Sequence, residues 1–289
     1  MNVVFFNKTL KTIKPHIIKK VRFMDEVDFK GVEDTLFIPL AARVLSSRRF
    51  PEYFYDEKSL ELENLQQVKK INENSTEYNM LASVSRYFVI DKIVKSFLKT
   101  NQKAIVVNLG AGFETMNYRL KSYGGHFYQI DFDKVIEYRQ KLLGKIENET
   151  FIKCDITDLT WAKKLDKDKP VLLVASGVFQ YFRPEIVSEF LKNLKNEFQN
   201  AHLIFDATDE AGIEYAQKYV RKTGNKTTMM YFYINDAEKF CENENIELIL
   251  ERGFFKEAQR DLRSIKLYTK IAMKVVEYKK RVKLLYVKL

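Results

Sequence analysis

The pattern of apolar and polar positions divides the chain into two parts. Up to about residue 100 apolar residues recur near helical spacing, and segments 59–72 and 83–99 are predicted as helices. Breaks in this helical part are expected at its helix-breaking residues, Pro15, Gly31, Pro39 and Pro51. From residue 105 onward, short apolar runs typical of buried strands alternate with helical segments.

The second part predicts a sheet flanked by helices. Strands are expected at 105–109, 127–131, 150–154, 171–175, 202–206, 247–251 and 282–287. Helices are expected at 115–123, 133–143, 184–196 and 236–243, with a helical or irregular insertion at 210–222. Such alternation predicts an α/β fold with a doubly wound, mostly parallel, Rossmann-like sheet. The sequence shows no internal repeat and no low-complexity linker. Residues 1–100 are therefore interpreted as an N-terminal helical cap on a core formed by residues 101–289.

The turn after the first predicted strand is the strongest candidate for a binding site. Gly110 and Gly112 lead from a strand into a predicted helix, an arrangement that brings backbone N–H groups to one point and favours a polar or anionic ligand. Asp131 ends the next strand nineteen residues after Gly112, where nucleoside-binding folds bind ribose hydroxyls. Thr115 replaces the third glycine that a pyrophosphate requires, which favours S-adenosylmethionine over a dinucleotide. Alternatively, the glycines only form a tight turn.

Composition narrows the class of protein and its expected cellular location. The 289 residues are 46% hydrophobic and 30% charged, as in soluble globular proteins. No apolar run reaches 18 residues and the N-terminus lacks a signal-peptide pattern, so we expect a cytoplasmic protein without a membrane partner. Two cysteines without a CxxC motif and three histidines argue against a disulfide scaffold or a metal site.

The net charge of +10 raises the question of a nucleic-acid partner. Basic residues are interleaved with acidic ones, and the only dense basic run is 279–281. Because nucleic-acid binders concentrate their charge and add a motif, we expect solvated surface lysines and no nucleic-acid partner. An RNA-associated role would rest on charge alone, and the sequence does not predict an oligomeric state.

Four ordered segments resemble the signature of the leucine carboxyl methyltransferase superfamily. They are 106–115 with 118–120, 128–131 with 135–136, 154–158, and 175–182. Upstream, segment 32–40, Arg43 and residues 55–56 are similar to the bacterial branch, which includes tetracenomycin-type polyketide O-methyltransferases. The resemblance runs from about residue 32 to residue 206.

The resemblance implies a class I methyltransferase that uses S-adenosylmethionine. By analogy, Gly110 and Gly112 pass under the methionine part and Asp131 holds the ribose hydroxyls. The same analogy places Asp155 and the backbone of Ile156 against the adenine. It pairs Arg86 with the cofactor carboxylate and has Arg43 support the same part of the site. Each of these residues also has an alternative role that does not involve the cofactor. Asp155 could cap the N-terminus of a helix, Arg43 could pair with an exposed acid, and Arg86 could be a snorkelling surface residue.

Two departures from the family pattern bear on function. The chain has 114–116 as Glu-Thr-Met where the family often has Asp-Thr-Arg, and Ser176 where many members carry a glutamate. That glutamate contacts the cofactor in the protein-methylating branch, so its absence argues against a protein C-terminus as substrate. Either Ser176 makes a weaker hydrogen bond near the methionine amino group, or a carboxylate comes from elsewhere.

The expected function is O-methylation of a hydroxyl or carboxylate on a small molecule. The alternatives are a protein carboxyl methyltransferase and a catalytically idle, cofactor-binding regulatory protein. A carboxylate acceptor needs no base, whereas a phenol or alcohol does. None of His16, His126 and His202 is expected at the carboxyl end of a strand, where ligands bind. Tyr181 is a candidate for the acceptor pocket, or else a packed aromatic.

Aromatic residues of the N-terminal part are expected to close an apolar pocket above the sulfonium. The candidates are Phe23, Phe29, Leu36, Phe37, Ile38, Phe50, Tyr53, Phe54 and Tyr55. Residues 229–233 are candidates for its other wall, although core packing explains them equally well.

Overall fold

The computed structural model describes residues 35–289. Several expectations lie outside the described residues: the breaks at Pro15 and Gly31, the placement of His16, the pocket roles of Phe23 and Phe29, and segment 32–34. The fold, the sheet and the rim that binds ligands in such folds all fall within the described part.

Within residues 35–289, seven strands form one mostly parallel sheet, which confirms the predicted α/β class. The strands are β1 Ile105–Leu109, β2 His126–Asp131, β3 Glu149–Lys153, β4 Val171–Ala175, β5 His202–Thr208, β6 Glu247–Arg252 and β7 Val282–Lys288. Their order is β3-β2-β1-β4-β5-β7-β6, and β7 is antiparallel to both of its neighbours. Each predicted strand therefore exists, with bounds that differ by at most two residues.

Helices precede the sheet and fill the connections. They are α1 Phe37–Arg49, α2 Glu57–Leu60, α3 Gln66–Asn74, α4 Glu77–Thr100, α5 Met116–Arg119, α6 Asp133–Leu143, α7 Pro184–Glu197, α8 Glu210–Lys222, α9 Ala237–Asn243, α10 Lys256–Asp261 and α11 Leu267–Tyr278. Short 3₁₀-helices occupy Lys121–Tyr123, Leu159–Lys164 and Phe179–Tyr181. The segment 210–222 is thus helical, and α10 and α11 had no predicted counterpart.

Three helix predictions were wrong in detail. Pro39 does not break a helix, because it lies in the first turn of α1, where its missing N–H is not needed. The predicted helix 59–72 is split into α2 and α3 by tight turns that let both Leu62 and Leu65 be buried. The predicted helix 115–123 is only four residues of α5 followed by a 3₁₀ turn.

The sheet separates two apolar layers because alternate residues of a strand face opposite sides. Val106 of β1 and Leu172 of β4 pack on the side covered by α4, α10 and α11. Their neighbours Val107 and Leu173 pack on the other side, against α7 and α9. Helix α4 therefore packs directly on the sheet, so part of the N-terminal region completes the core of the sheet.

The order of the strands determines where a site forms. β1 pairs with β2 on one side and with β4 on the other, so the connections leave the sheet in opposite directions at the β1–β4 boundary. Ligands of open α/β sheets bind in the crevice at this point, outside the carboxyl ends of the strands. The residues that follow β1, β2, β4 and β5 meet there.

Candidate active site

A cavity of about 860 Å³ lies at the carboxyl ends of these strands. It brings together almost all of the residues predicted from the sequence: Arg43, Arg86, Gly110, Gly112, Asp131, Ile156, Ser176 and Tyr181. Asp155 is the exception, because it is exposed beside the cavity and does not line it. Residues distant in sequence thus converge on one concave site.

The glycine turn brings the backbone against the cavity. Gly110 and Gly112 both adopt left-handed backbone conformations, with φ of +65° and +46°. A Cβ at Gly110 would lie 2.8 Å from Val178, and one at Gly112 would lie 2.8 Å from Leu36. Any side chain here would be strained and would fill the space beneath a ligand, so the turn fits a cradle for the methionine part of S-adenosylmethionine.

Asp131 is fixed at the end of β2 by two backbone donors. Its Oδ2 accepts a hydrogen bond from the N–H of Gly112 at 2.8 Å, and its Oδ1 accepts one from the N–H of Phe132 at 2.8 Å. An ionised carboxylate offers about four lone-pair sites. The geometry therefore suits the predicted ribose contact and ties the carboxylate to the glycine turn.

Asp155 and Ile156 follow β3. The Oδ1 of Asp155 accepts from the N–H of Thr157 at 2.9 Å and from its hydroxyl at 2.8 Å. The alternative that Asp155 caps a helix was wrong, because Asp158 caps the next 3₁₀ turn by accepting from the N–H of Thr160. Ile156 is buried and lines the cavity, and its carbonyl accepts from the indole N–H of Trp161 at 2.9 Å. The adenine contacts of Asp155 and Ile156 stay predictions.

Arg86 is a buried ion-pair partner, and the snorkelling alternative was wrong. Its side chain is 12% exposed, and its Nη1 lies 2.9 Å from Oδ2 of Asp206 at the end of β5. Burial disfavours the charged guanidinium, but Asp206 outweighs that effect and raises the pKa of Arg86 above its ordinary value. Asp206 was missed from the sequence, where the only signal was an acid in the last part of a predicted strand.

Arg43 belongs to a buried group of charges that we call the arginine cluster: Arg43, Asp56, Asp91, Glu114 and Arg119. The Nε of Arg43 lies 3.1 Å from Asp56, and its Nη2 donates to the carbonyl of Phe113 at 2.6 Å. Arg119 contacts Asp56, Asp91 and Glu114 at 3.1, 2.8 and 2.8 Å. The alternative that Arg43 pairs with an exposed acid was wrong, because Asp56 and Glu114 are buried.

The arginine cluster keeps its central acids ionised. Burial alone would raise the pKa of Asp56, but Arg119, Arg43 and hydrogen bonds from Ser59 and Thr115 together lower the pKa below its ordinary value. The same balance of burial against Arg119 and Arg43 lowers the pKa of Glu114. Asp56, Asp91 and Arg119 carry no local sequence signal of this role, because their partners are far away along the chain.

Ser176 and Tyr181 lie on the β4 side of the cavity. The hydroxyl of Ser176 is buried and has no hydrogen-bond partner within the described part of the chain. The hydroxyl of Tyr181 donates to that of Thr35 at 3.2 Å, and burial raises the pKa of Tyr181, so the phenol stays protonated at neutral pH. The unpartnered hydroxyl of Ser176 and the equally buried, unpartnered Nε of Arg86 are suited to a polar ligand.

Beyond Asp206 the cavity continues to an end that we call the tyrosine end, formed by Tyr78, Tyr215, Tyr219 and Tyr268. Apolar side chains of α11, among them Ala272 and Val276, complete it. The Tyr215 hydroxyl donates to Oδ1 of Asn79 at 2.7 Å. This end offers flat, apolar surface with few charges.

The predicted pocket walls were only partly right. Leu36, Ile38 and Met230 line the cavity. Phe37, Phe50, Tyr53, Phe54 and Phe232 are instead packed in the core, whereas Tyr55, Met229, Tyr231 and Tyr233 are exposed. Their apolar character indicated burial but did not distinguish core from cavity.

Histidines and metal ligands do not contribute to the cavity in the described residues. His126 and His202 are the first residues of β2 and β5, so they lie at the amino ends of the strands, opposite to the cavity. Within residues 35–289 no group of three or more histidine, cysteine, aspartate or glutamate side chains is arranged to hold a metal ion. In the same part of the chain, no helix is both long and apolar enough to cross a membrane.

Comparison with known proteins identifies the family. The leucine carboxyl methyltransferase family matches residues 20–195, more than half of the chain. The tetracenomycin polyketide synthesis O-methyltransferase TcmP of Streptomyces glaucescens is 23% identical over 203 residues, covering 69% of this chain and 75% of that protein. The S-adenosyl-L-methionine-dependent methyltransferase dpfgK of Gibberella zeae is 25% identical over 240 residues, covering 74% of this chain and 79% of that protein.

A solved structure agrees in fold. The crystal structure of a DUF574 family protein from Streptomyces avermitilis superposes with a TM-score of 0.56 at 13% identity, covering 86% of this chain and 96% of that one. Together with the matched family and the glycine turn, these findings establish that the chain belongs to the leucine carboxyl methyltransferase family and is an S-adenosylmethionine-dependent methyltransferase.

Proposed function

We propose that the protein methylates an oxygen atom, a hydroxyl or a carboxylate, of a small and largely apolar molecule. The observation that carries this proposal is the continuity of the cavity from the glycine turn to the tyrosine end. A concave, apolar site with a few polar groups suits a small ligand. The relative TcmP, a polyketide synthesis O-methyltransferase, supports the same class of reaction, and dpfgK supports the use of S-adenosylmethionine as methyl donor.

In this proposal the cofactor lies over the glycine turn, held by Asp131 at its ribose and by Arg86 at its carboxylate. S-adenosylmethionine supplies an electrophilic methyl group on a sulfonium. The residues of the chain orient the acceptor in line with that group and exclude water, which are the main contributions of a protein to such a displacement. Tyr181 lines the same cavity and is proposed as an acceptor contact.

The nature of the acceptor oxygen decides what else the protein must do. A carboxylate is ionised at neutral pH and attacks without a base, whereas a phenol or alcohol must lose a proton. Burial raises the pKa of Tyr181, so its phenol stays protonated at neutral pH and does not act as a base. A carboxylate acceptor therefore requires no general base among the residues around the cavity.

The test is methyl transfer from tritiated S-adenosylmethionine to a panel of small aromatic and aliphatic carboxylic acids and phenols, with a cell lysate as the source of proteins. We expect label in small molecules. Alkali then separates the two acceptor types, because methyl esters are hydrolysed and methyl ethers are not. Label confined to macromolecules would instead support a protein methyltransferase, and cofactor binding without any transfer would support an idle regulatory protein.

A further inference from the structure

Besides Asp131, two carboxylates line the cavity within residues 35–289, Glu114 and Asp206. Glu114 is paired with Arg43 and Arg119 of the arginine cluster, whereas Asp206 has no role in the proposals above. β4 and β5 pair in parallel register through Ala175 and Phe205, so Asp206 lies directly beside Ser176 at the rim. Its side chain lines the cavity and is only 7% exposed. It therefore occupies nearly the place where the family glutamate follows the fourth strand.

Asp206 is held in position from two sides. Its Oδ1 accepts from the N–H of Gly177 at 2.6 Å, and its Oδ2 lies 2.9 Å from Nη1 of Arg86. Gly177 has a φ of +70°, and a Cβ there would lie 2.9 Å from Nη1 of Arg86. The absence of a side chain at Gly177 thus lets the guanidinium lie against the backbone beside Asp206.

The pair presents opposite charges at one point of the cavity. A guanidinium has five N–H donors, and the Nε of Arg86 is buried without a partner. Burying an ion pair is costly unless further hydrogen bonds satisfy it. A zwitterion, with an ammonium toward Asp206 and a carboxylate toward Arg86, complements this arrangement, and the methionine part of the cofactor is an α-amino acid.

We propose that Asp206 supplies the carboxylate missing at Ser176 and binds the α-ammonium group of S-adenosylmethionine, while Arg86 binds its α-carboxylate. The assignment deepens the proposed function, on which it rests for the use of this cavity in methyl transfer. Asp206 is then a specificity-determining residue for the amino-acid end of the cofactor.

The test is calorimetric binding of three ligands to Asp206→Asn and to the unaltered protein. S-adenosylhomocysteine carries both charged groups, its decarboxylated analogue carries only the ammonium, and 5′-methylthioadenosine carries neither. We expect the substitution to weaken S-adenosylhomocysteine and its decarboxylated analogue about ten- to a hundredfold and to leave 5′-methylthioadenosine within about twofold. Retained binding of 5′-methylthioadenosine also shows that the variant is folded.

Two further variants sharpen the test. Asp209→Asn is the matched control, because Asp209 caps α8 through the N–H of Gly212 and does not line the cavity, and it should bind all three ligands normally. Ser176→Glu in the Asp206→Asn background should restore most of the lost affinity for S-adenosylhomocysteine, because it returns a carboxylate to the fourth strand.

Three results would overturn the assignment. Equal weakening of all three ligands would make Asp206 a general structural residue. A loss confined to S-adenosylhomocysteine, with the decarboxylated analogue unaffected, would mean that Asp206 only positions Arg86. Unchanged binding of every ligand would remove Asp206 from the site. Failure of the proposed function looks different: the unaltered protein would bind these ligands normally but transfer no methyl group to a small molecule.

Discussion

Replacing Arg43 by methionine tests whether the arginine cluster holds the fold together. The substitution keeps an unbranched side chain but removes the guanidinium, whose side chain is 1% exposed. It deletes the contacts with Asp56 and Ser59 at 3.1 Å, with the carbonyl of Phe113 at 2.6 Å and with Glu114 at 3.5 Å. Arg119 is then the only cation of the cluster facing its three carboxylates.

The expected loss is large because the remaining charges stay buried. Removing one partner of a buried ion pair typically costs about 3–5 kcal/mol of unfolding free energy. Unfolding entropy of about 2.1 cal/mol/K per residue gives about 0.6 kcal/mol/K for 289 residues, so we expect the midpoint of thermal unfolding to fall by about 5–8 °C.

The loss should also depend on pH. In the unaltered protein the pKa values of Asp56 and Glu114 are lowered, so their stabilising effect is complete above about pH 5 and is lost as the pH falls through the lowered values. In Arg43→Met these pKa values rise, because one cause of their lowering is gone. Acidification from pH 7 toward pH 4 therefore destabilises the variant less, and the difference between the two proteins should shrink.

The assay is urea and thermal unfolding of the two proteins at a series of pH values, with Arg48→Met as the control. Arg48 lies on the same helix and contacts Glu63 at 2.7 Å, but its side chain is 58% exposed. Exposed ion pairs contribute at most about 1 kcal/mol, so this control should be nearly as stable as the unaltered protein. If Arg43→Met costs no more than Arg48→Met, the arginine cluster does not stabilise the fold.

Three more predictions concern the cofactor side of the cavity. Gly110→Ala should lower the unfolding free energy in urea by more than about 1–2 kcal/mol, because the positive φ strains a residue with a side chain and the added Cβ would also lie 2.8 Å from Val178; a smaller loss would contradict this. Asp131→Ala should weaken S-adenosylhomocysteine about ten- to a hundredfold in calorimetry, since charge-assisted hydrogen bonds are lost, and unchanged affinity in a folded variant would remove Asp131 from the site. The unaltered protein should bind S-adenosylmethionine more tightly than NAD, and the reverse order would contradict the interpretation of Thr115.

The sheet and the position of the glycine turn and Asp131 at the cavity were predictable because their signals are local. Each strand is a short apolar run, and the turn at Gly110 and Gly112 follows directly from β1 in the sequence. Asp131 ends its strand and needs only the parallel order of β1 and β2 to reach the turn. Where one stretch of chain both forms the element and carries the chemistry, the sequence is sufficient.

The rest depends on contacts between distant residues. Arg86 and Asp206 are 120 positions apart, and Arg43 reaches Phe113 across 70 positions. Arginine and aspartate side chains are usually exposed, and nothing in the neighbouring sequence indicates that these ones are buried. Helix α11 was not predicted because several of its apolar residues, Leu267, Ile271 and Tyr278, are exposed. Its apolar residues therefore do not mark a single buried face.

The two ends of the cavity are encoded in different stretches of the chain. The glycine turn, Asp131 and Ser176 lie within residues 20–195, the part that matches the family. Three of the four tyrosines of the tyrosine end, Tyr215, Tyr219 and Tyr268, come after it. Substitutions of these later tyrosines can therefore reshape the surface that we propose for the acceptor without altering the glycine turn. The identity of the acceptor can then differ between relatives that share the methyl donor and the class of reaction.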